Sequence, residues 1–211
     1  MEVELFDYTK DAIPKTACLT RATRQESPET LWSYKTIDKD EDFVKALIKV
    51  KHFGILEHTV FTFHISGISR ILTHQLVRHR VASYLQMSNR HVDPTKLGFI
   101  TPESISNDKV ASINYKYHME KSMYLYSQMV ATGIPKEDAR FVLPDSFKTH
   151  ITITMNARAL REFFEKRLPK SAQWEIRLMA KLMFSKVMEI YPCMFEDLKE
   201  LSYDPVDKEA Q

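Results

Sequence analysis

The sequence predicts an α+β fold, because stretches with the period of a strand and stretches with the period of a helix both recur along its 211 residues. A strand alternates its side chains between two faces, whereas a helix returns to one face every three or four residues. Alternation is found at 3–8, 58–66 and 149–156, and helical spacing fills much of the remainder. No internal repeat, linker or low-complexity segment interrupts the pattern, so residues 1–211 are predicted to form a single domain.

The amino-acid composition indicates what kind of protein this is and where it is found. The net charge is only +2, which argues against a strongly basic nucleic-acid-binding domain. Cys18 and Cys193 are the two cysteines, and they fit a reducing compartment. No stretch reaches the roughly 20 apolar residues that span a bilayer, and the acidic N-terminus does not resemble a signal peptide. These observations predict a soluble cytoplasmic protein that does not engage a membrane.

The four glycines exclude two common nucleotide-binding motifs. Neither a G-x-G-x-x-G fingerprint nor a P-loop can be written with Gly54, Gly67, Gly98 and Gly133. Arginines, amides and helix N-termini would have to hold any phosphate group. His58 and His64 share a strand face but stand about 20 Å apart along it, so we predict no metal site there.

The first third of the chain contains one predicted strand and one predicted helix. Residues 3–8 alternate as in a short strand, and residues 9–37 have no clear pattern. Residues 40–53 have acids at the start, and Gly54 suits the end of a helix. The predicted apolar stripe of this helix consists of Phe43, Ala46, Leu47 and Val50.

A second strand leads into a basic helix. Thr59, Phe61, Phe63 and Ile65 share one face of the strand, which Gly67 is predicted to end. Apolar residues then recur with helical spacing up to Arg80. Their stripe consists of Ile68, Ile71, Leu72 and Leu76, and a separate face carries Arg70, His74 and Arg78.

The second half alternates helices with one strand. Residues 108–132 form a long helix whose tyrosines and methionines predict core or subunit contacts. A short helix follows Pro135, and residues 149–156 form a strand with Ile151, Ile153 and Met155 on one face. A helix to Arg167 comes next. The last long helix is predicted to be capped by Ser171, and its apolar residues lie on two sides.

The segment from Ser69 to Val92 is the candidate functional region. It contains Arg70, Arg78, Arg80 and Arg90 but no acidic residue. Such a cluster is buried only when an anion neutralises it. A solvated or nucleic-acid-binding basic surface is one interpretation. The neutral hydrogen-bonding residues of the following loop favour the other, a shaped pocket; they are Ser83, Gln86, Ser88 and Asn89.

Arg78-His79-Arg80, seven further residues and Ser88 resemble the RHR-x7-S signature of the flavin-dependent thymidylate synthases. Four other segments resemble that family in the same order. They are 52–58, ending in Glu57-His58; Ala139-Arg140-x-Val142-Leu143-Pro144; Asn156-Ala157-Arg158-x-Leu160; and Ala172 to Arg177, AQWEIR. The resemblance implies a mixed or antiparallel sheet flanked by long helices, and a homotetramer with active sites shared between subunits.

The resemblance also implies a reaction. Family members methylate dUMP reductively to dTMP, taking the carbon from methylenetetrahydrofolate and the electrons from NADPH through FAD. Other thymidylate synthases attack the uracil ring with a cysteine in a Pro-Cys context. Pro192-Cys193 has no basic residue beside it, so we expect Cys193 to be structural. A nucleic-acid-binding module using residues 70–90 remains the alternative function.

Individual roles follow from the same resemblance. Arg167 is the expected catalytic residue, held against the pyrimidine to stabilise its anionic form. The residues expected to bind dUMP are Gln75, Leu76, Val77, Arg78, Gln86, Met87, Ser88, Asn89, Arg90, Arg140 and Arg167. The residues expected to bind FAD are His52, Gly54, Arg78, His79, Arg80, Gln86, Asn156, Ala157 and Arg158.

Overall fold

The computed structural model of the protein describes residues 1–23 and 39–203. Two compact units divide the chain. Among the described residues, the first unit comprises 1–2, 65–78 and 84–152, and the second comprises 3–23, 39–64, 79–83 and 153–203. The sequence ranges of both units include part of the second and part of the fourth strand. A single domain over the whole chain therefore stays a prediction.

The described residues contain helices and strands in the following order: β1 Glu2–Tyr8, α1 Ala12–Ala22, α2 Asp40–Lys49, β2 Val60–Ser69, α3 Arg70–Leu76, β3 Ser83–Gln86, α4 Glu103–Ser106, α5 Lys109–Ala131, α6 Lys136–Ala139, β4 Lys148–Asn156, α7 Ala157–Arg167, α8 Trp174–Ile190 and α9 Lys199–Ser202. Short 3₁₀ turns connect several of them. The strands form one antiparallel sheet in the order β1-β2-β4-β3, which confirms the α+β class.

Side-chain alternation in β2 and β4 is as the sequence predicts. Phe61, Phe63 and Ile65 are fully buried, and so are Ile151 and Ile153. On the opposite face, the Oγ1 atoms of Thr62 and Thr154 lie 2.9 Å apart. This hydrogen bond and the buried rows both depend on the pairing of the strands, because a slip by one residue would exchange the two faces.

Aromatic rings fill the core of the second unit around α7. The ring of Phe164 meets those of Phe184 and Phe195 edge to face, with centroids 5.2 and 5.9 Å apart. Such pairs add to the stabilisation that comes from burial alone. Arg161 is also buried in this helix, where its guanidinium forms a two-pronged ion pair with Asp197. These contacts fix the helix that ends at Arg167.

Two helices end earlier than predicted. α2 ends at Lys49 and buries Val44, Leu47 and Ile48, so the predicted stripe was in the wrong register and Val50 is 71% exposed. α3 ends at Leu76 rather than extending to Arg80. The hydroxyl of Tyr84 donates to the Leu76 carbonyl, an acceptor that the next helical turn would have needed. Arg78 therefore lies in the turn that follows the helix, and His79 and Arg80 lie outside any helix or strand.

Other differences arise at element ends. β2 continues through Gly67 to Ser69, whose hydroxyl accepts from the Leu72 amide and caps α3. α8 is capped by the Gln173 side chain, which accepts from two backbone amides, and not by Ser171. Neither α1 nor β3 was predicted, and the remainder of the unpatterned stretch, 24–37, lies outside the described residues.

Six of the seven residues in the predicted stripe of α8 are buried: Ile176, Met179, Ala180, Met183, Phe184 and Val187. The seventh, Tyr191, is half-buried and follows the end of the helix as its C-cap residue. The second predicted stripe, which consists of Trp174, Leu178 and Leu182, is not buried. Trp174 and Leu178 are exposed, and Leu182 is half-buried. Within residues 1–23 and 39–203, no helix is long and apolar enough to cross a bilayer.

Candidate active site

A cavity of about 320 Å³ lies in the first unit. Its lining combines cationic, polar and apolar side chains: Arg70, His74, Asn89, Arg140, Phe141, Leu143, Pro144, Asp145 and Phe147. Two guanidinium groups in one small cavity favour an anionic ligand, because arginine offers planar, paired donors to phosphate and carboxylate groups.

Two buried polar atoms in this cavity's lining lack hydrogen-bond partners among the described residues. They are Nη1 of Arg70 and Oδ1 of Asn89. Nearly all buried polar atoms in proteins are paired, so an unpaired donor and an unpaired acceptor in one lining need an explanation. A ligand with an anionic group and a hydroxyl or N–H group would satisfy both atoms.

A single acidic residue holds two of the arginines predicted to bind dUMP. The Nε atom of Arg140 donates to the backbone carbonyl of Glu137 at 2.9 Å. The Nη2 atom of Arg90 lies 2.7 Å from a carboxylate oxygen of Glu137. Glu137 lies in α6, just before Arg140 along the chain, and so it positions arginines from two separate segments of the first unit.

The loop after β3 is held by hydrogen bonds within the first unit. The Nε2 atom of Gln86 donates to the Thr73 hydroxyl at 3.2 Å. The Met87 amide donates to the His150 carbonyl, and the Ser88 hydroxyl accepts from the Arg90 amide at 3.3 Å. The loop therefore has a defined shape before any ligand contact is considered.

All residues predicted to bind dUMP except Arg167 lie in the first unit. Among them, Leu76 and Met87 are buried, so their side chains serve packing. Val77, Arg78 and Arg90 are exposed, and Gln75, Gln86, Ser88 and Arg140 are half-buried. The cavity brings together Asn89 and Arg140 of this set, and it does not include the others. These roles stay predictions.

In the second unit, Arg167 makes a specific contact with a histidine. Its Nε atom donates to Nε2 of His79 at 3.0 Å, and Phe163 meets the imidazole edge to face at a centroid distance of 4.9 Å. Burial, together with the charges of Arg167 and Lys166, lowers the pKa of His79 to about 4. The imidazole is therefore neutral near pH 7, with the lone pair of Nε2 accepting from Arg167.

Three other predicted residues of the second unit, Asn156, Ala157 and Arg158, lie at the start of α7. Asn156 caps this helix, its Oδ1 atom accepting from the Ala159 amide at 2.8 Å. Ala157 is buried, and its amide donates to the Thr59 carbonyl. Arg158 is exposed and pairs with Glu57 at 2.6 Å. His52, Gly54 and Arg80 are also exposed, and a Cβ atom on Gly54 would meet no atom within 4 Å.

Comparison with known proteins decides the family. A family model described as thymidylate synthase complementing protein matches residues 4–193. A flavin-dependent thymidylate synthase of Sulfolobus acidocaldarius is 40% identical over 202 residues, which cover 93% of this chain and 76% of that protein. One of Pyrococcus abyssi is 43% identical over 165 residues, covering 74% and 68%. The chain belongs to the flavin-dependent thymidylate synthase family.

A solved structure shows the same fold. The UMP/dUMP methylase PolB from Streptomyces cacaoi, bound with 5-Br dUMP, superposes with a TM-score of 0.78 and covers 94% of both chains. Its sequence is only 22% identical, so the comparison concerns the fold alone. The resemblance inferred from the RHR-x7-S signature is therefore confirmed by sequence and accompanied by a shared architecture.

The second unit offers residues that fit the family's cofactor, FAD. Arg80 and Arg158 are exposed guanidinium groups, which suit a diphosphate. The open space at Gly54 would allow a planar ring to approach the backbone. Glu57 and Glu162 lie 2.6 and 3.7 Å from Arg158, so they orient this arginine and also partly neutralise it.

Cys193 is unsuited to nucleophilic attack. Its side chain is 3% exposed, and burial raises the pKa of its thiol to about 12. The thiolate is the nucleophilic form of cysteine, and it is nearly absent at neutral pH under these conditions. The structural role expected of Cys193 agrees with these properties.

The geometry adds three residues that were not among the predicted substrate or cofactor ligands. Arg70 and His74 line the cavity, although their spacing with Arg78 already marked a helical face separate from the apolar stripe. Glu137 could not be found in this way, since its contact with Arg90 joins residues that are distant in the sequence.

Proposed function

We propose that this protein methylates dUMP reductively to dTMP, with methylenetetrahydrofolate as carbon donor and NADPH as reductant through FAD. Family membership gives dUMP methylation and flavin dependence. The carbon donor, the nicotinamide and a homotetrameric assembly in the cytoplasm are the further parts of this proposal. The two free cysteines, Cys18 and Cys193, agree with a reducing compartment.

The observation that carries the proposal is the cavity of the first unit. Arg70 and Arg140 would bind the 5′-phosphate of dUMP, and the unpaired atoms of Arg70 and Asn89 would gain partners. Ser88 and Arg90 lie in the adjoining loop and would complete the phosphate contacts. Charge-assisted hydrogen bonds of this kind are roughly twice as strong as neutral ones.

Arg167 would act on the pyrimidine ring. Uracil becomes nucleophilic at C5 when its ring carries negative charge, and a guanidinium group stabilises that charge without giving up a proton. His79 supports this role because it uses the Nε–H group of Arg167 and leaves both terminal amino groups for the substrate. The contact comes from a neutral acceptor, so the positive charge of Arg167 is not cancelled.

His52, Gly54, Arg78, His79, Arg80, Gln86, Asn156, Ala157 and Arg158 would hold FAD. When bound, FAD supplies the electrons that turn the transferred carbon into a methyl group. Arg80 and Arg158 would bind its phosphates, whereas Ala157 would contribute through its backbone because its side chain is buried.

The exposed side of α5 supports a homotetramer. Val110, Ile113, Tyr117 and Tyr124 are spaced three, four and seven residues apart and so share a face of the helix. Each of these side chains is at least 60% exposed. A contiguous apolar stripe on the surface marks a protein contact more often than a solvated face.

The first experiment is an absorption spectrum of the purified protein, repeated under anaerobic conditions with NADPH and with or without dUMP. A flavin band that NADPH bleaches faster in the presence of dUMP is the expected result. A variant with Arg167→Lys should keep the flavin band but form dTMP at least about a hundredfold more slowly, as after loss of one charge-stabilising donor. Lys166→Ala serves as the control in the neighbouring position.

The opposite outcome is equally clear. A colourless protein that takes up no FAD and binds oligonucleotides with an affinity that falls steeply with salt would contradict the proposal. It would instead support the nucleic-acid-binding interpretation of residues 70–90.

A further inference from the structure

Glu137 is placed to influence how tightly the substrate phosphate is held. Its carboxylate lies 2.7 Å from Arg90, and its backbone carbonyl accepts from Arg140 at 2.9 Å. Both arginines are phosphate ligands in the proposed function. The Glu137 carboxylate and a phosphate group would therefore compete for the Nη2 donor of Arg90.

The Arg90–Glu137 pair is of the kind that a stronger anion can displace. The two side chains are 60% and 46% exposed, and ion pairs in such positions contribute little free energy and are screened by salt. A phosphate monoester carries more negative charge than a carboxylate and three acceptor oxygens. Arg140 would keep its bond to Glu137 during this exchange, because that bond uses the backbone carbonyl.

Arg90 does not line the cavity that contains Arg70, Asn89 and Arg140. Its guanidinium is held by the carboxylate of α6 instead. A phosphate seated on Arg70 and Arg140 would compete with the Glu137 carboxylate for the Nη2 donor of Arg90. In the proposed function, the cavity residues and Arg90 are thus two parts of the phosphate site, and Glu137 contacts the second part.

We propose that Glu137 competes with the substrate phosphate for Arg90 and thereby lowers the affinity of the enzyme for nucleoside monophosphates. This inference rests on the proposed function, in which Arg90 binds the phosphate. The substrate and the product of the reaction carry the same phosphate group, so Glu137 acts on both. Its presence favours release of the product at the expense of affinity for the substrate.

The neighbouring residue provides a matched control. Asp138 follows Glu137 in α6 and, in the described part of the chain, forms no ion pair with an arginine. Replacing either acid with its amide removes one negative charge at nearly the same place. A general electrostatic effect would appear in both variants, whereas competition for Arg90 would appear only in Glu137→Gln.

The test is calorimetric titration of dUMP into the FAD-loaded protein and its Glu137→Gln and Asp138→Asn variants. We expect Glu137→Gln to bind dUMP about two- to fivefold more tightly, which is the size of an exposed ion pair. Asp138→Asn should match the unaltered protein. The backbone contact to Arg140 persists in both variants, and neither substituted side chain is buried, so both should fold.

Two outcomes would overturn the inference while leaving the proposed function intact: unchanged or weaker dUMP binding by Glu137→Gln, or an equal gain in Asp138→Asn. Absence of dUMP binding by the unaltered, FAD-loaded protein would instead overturn the proposed function, and the inference with it.

Discussion

His79 and Arg167 form a hydrogen bond between a neutral base and a permanent cation. A carboxylate in the place of His79 would orient Arg167 equally well, but it would also neutralise the charge that is proposed to act on the pyrimidine. A protonated imidazole would repel the guanidinium. The neutral ring provides an acceptor at 3.0 Å without cancelling or opposing the charge of Arg167.

The low pKa of His79 predicts that the free energy of unfolding depends on pH. In the unfolded chain a histidine has a pKa near 6.5, whereas in the folded protein that of His79 is about 4. Between these two pKa values, His79 is protonated to a greater extent in the unfolded chain than in the folded protein. The stabilising effect of the neutral imidazole is therefore complete above about pH 6.5 and is lost as the pH falls towards 4.

Urea unfolding between about pH 4 and pH 7 would measure this effect. The free energy of unfolding should decline less steeply with acidification in the His79→Gln variant than in the unaltered protein. Gln retains an acceptor for Arg167 but does not titrate. Parallel curves for the two proteins over this range would contradict the assignment of a low pKa to His79.

At the scale of elements, one residue at the start of α7, Asn156, has both a structural role and a predicted ligand-binding role. Asn156 ends β4 and caps α7 through its side-chain oxygen, and it is also a predicted FAD ligand. Its oxygen is used by the cap, which leaves the amide N–H groups for a ligand. The two roles can therefore be separated by a substitution that keeps the oxygen and removes the nitrogen.

Asn156→Asp should preserve stability but weaken flavin binding. Asp and Asn are about equally good N-caps, whereas Asn156→Ala should lose roughly 1 kcal/mol of stability with the cap. Urea unfolding of the protein without flavin measures the first property, and flavin titration followed by fluorescence measures the second. An equal flavin affinity in the Asn156→Asp variant and the unaltered protein would remove Asn156 from the cofactor site.

At the scale of the whole molecule, the proposed homotetramer would cover the apolar stripe of α5. Tyr117→Arg places a charge in the middle of the stripe, at a side chain that is 61% exposed within one chain. We expect smaller oligomers with an unchanged circular dichroism spectrum, since the fold of the single chain does not bury this residue. Analytical ultracentrifugation would measure the mass.

His118→Arg is the control for this experiment. His118 is exposed on the same helix but one position away from the stripe, so the variant should keep the mass of the unaltered protein. A Tyr117→Arg variant that assembles normally would show that the stripe is not a subunit contact.

The sequence predicted those features that depend on near neighbours along the chain. Alternation located β2 and β4 because their apolar residues recur every second position, and Asp108 and Pro135 marked the starts of two helices. Periodicity misplaced the end of α3, since the competing contact from Tyr84 is not visible in helical spacing. The register of α2 failed because Phe43, Val44, Leu47 and Ile48 permit two overlapping stripes.

The same distinction applies to the candidate site residues. Those in a local motif could be predicted from the sequence, whereas contacts that the fold creates between distant residues could not. Ser88 and Arg90 stand in or beside a recognisable motif, whereas the contact between His79 and Arg167 joins positions 88 residues apart. The burial of the Arg70 nitrogen that lacks a partner depends on the walls of the cavity, which no local pattern describes.

The ion pair between Arg161 and Asp197 has a consequence for protein synthesis. The two residues are 36 positions apart, and Arg161 is buried in α7. While the chain is still emerging from the ribosome, α7 is made before its counter-charge exists, and a buried unpaired guanidinium is strongly unfavourable. The helix that carries Arg167 should therefore become firmly seated only after Asp197, 36 residues beyond Arg161, has left the exit tunnel.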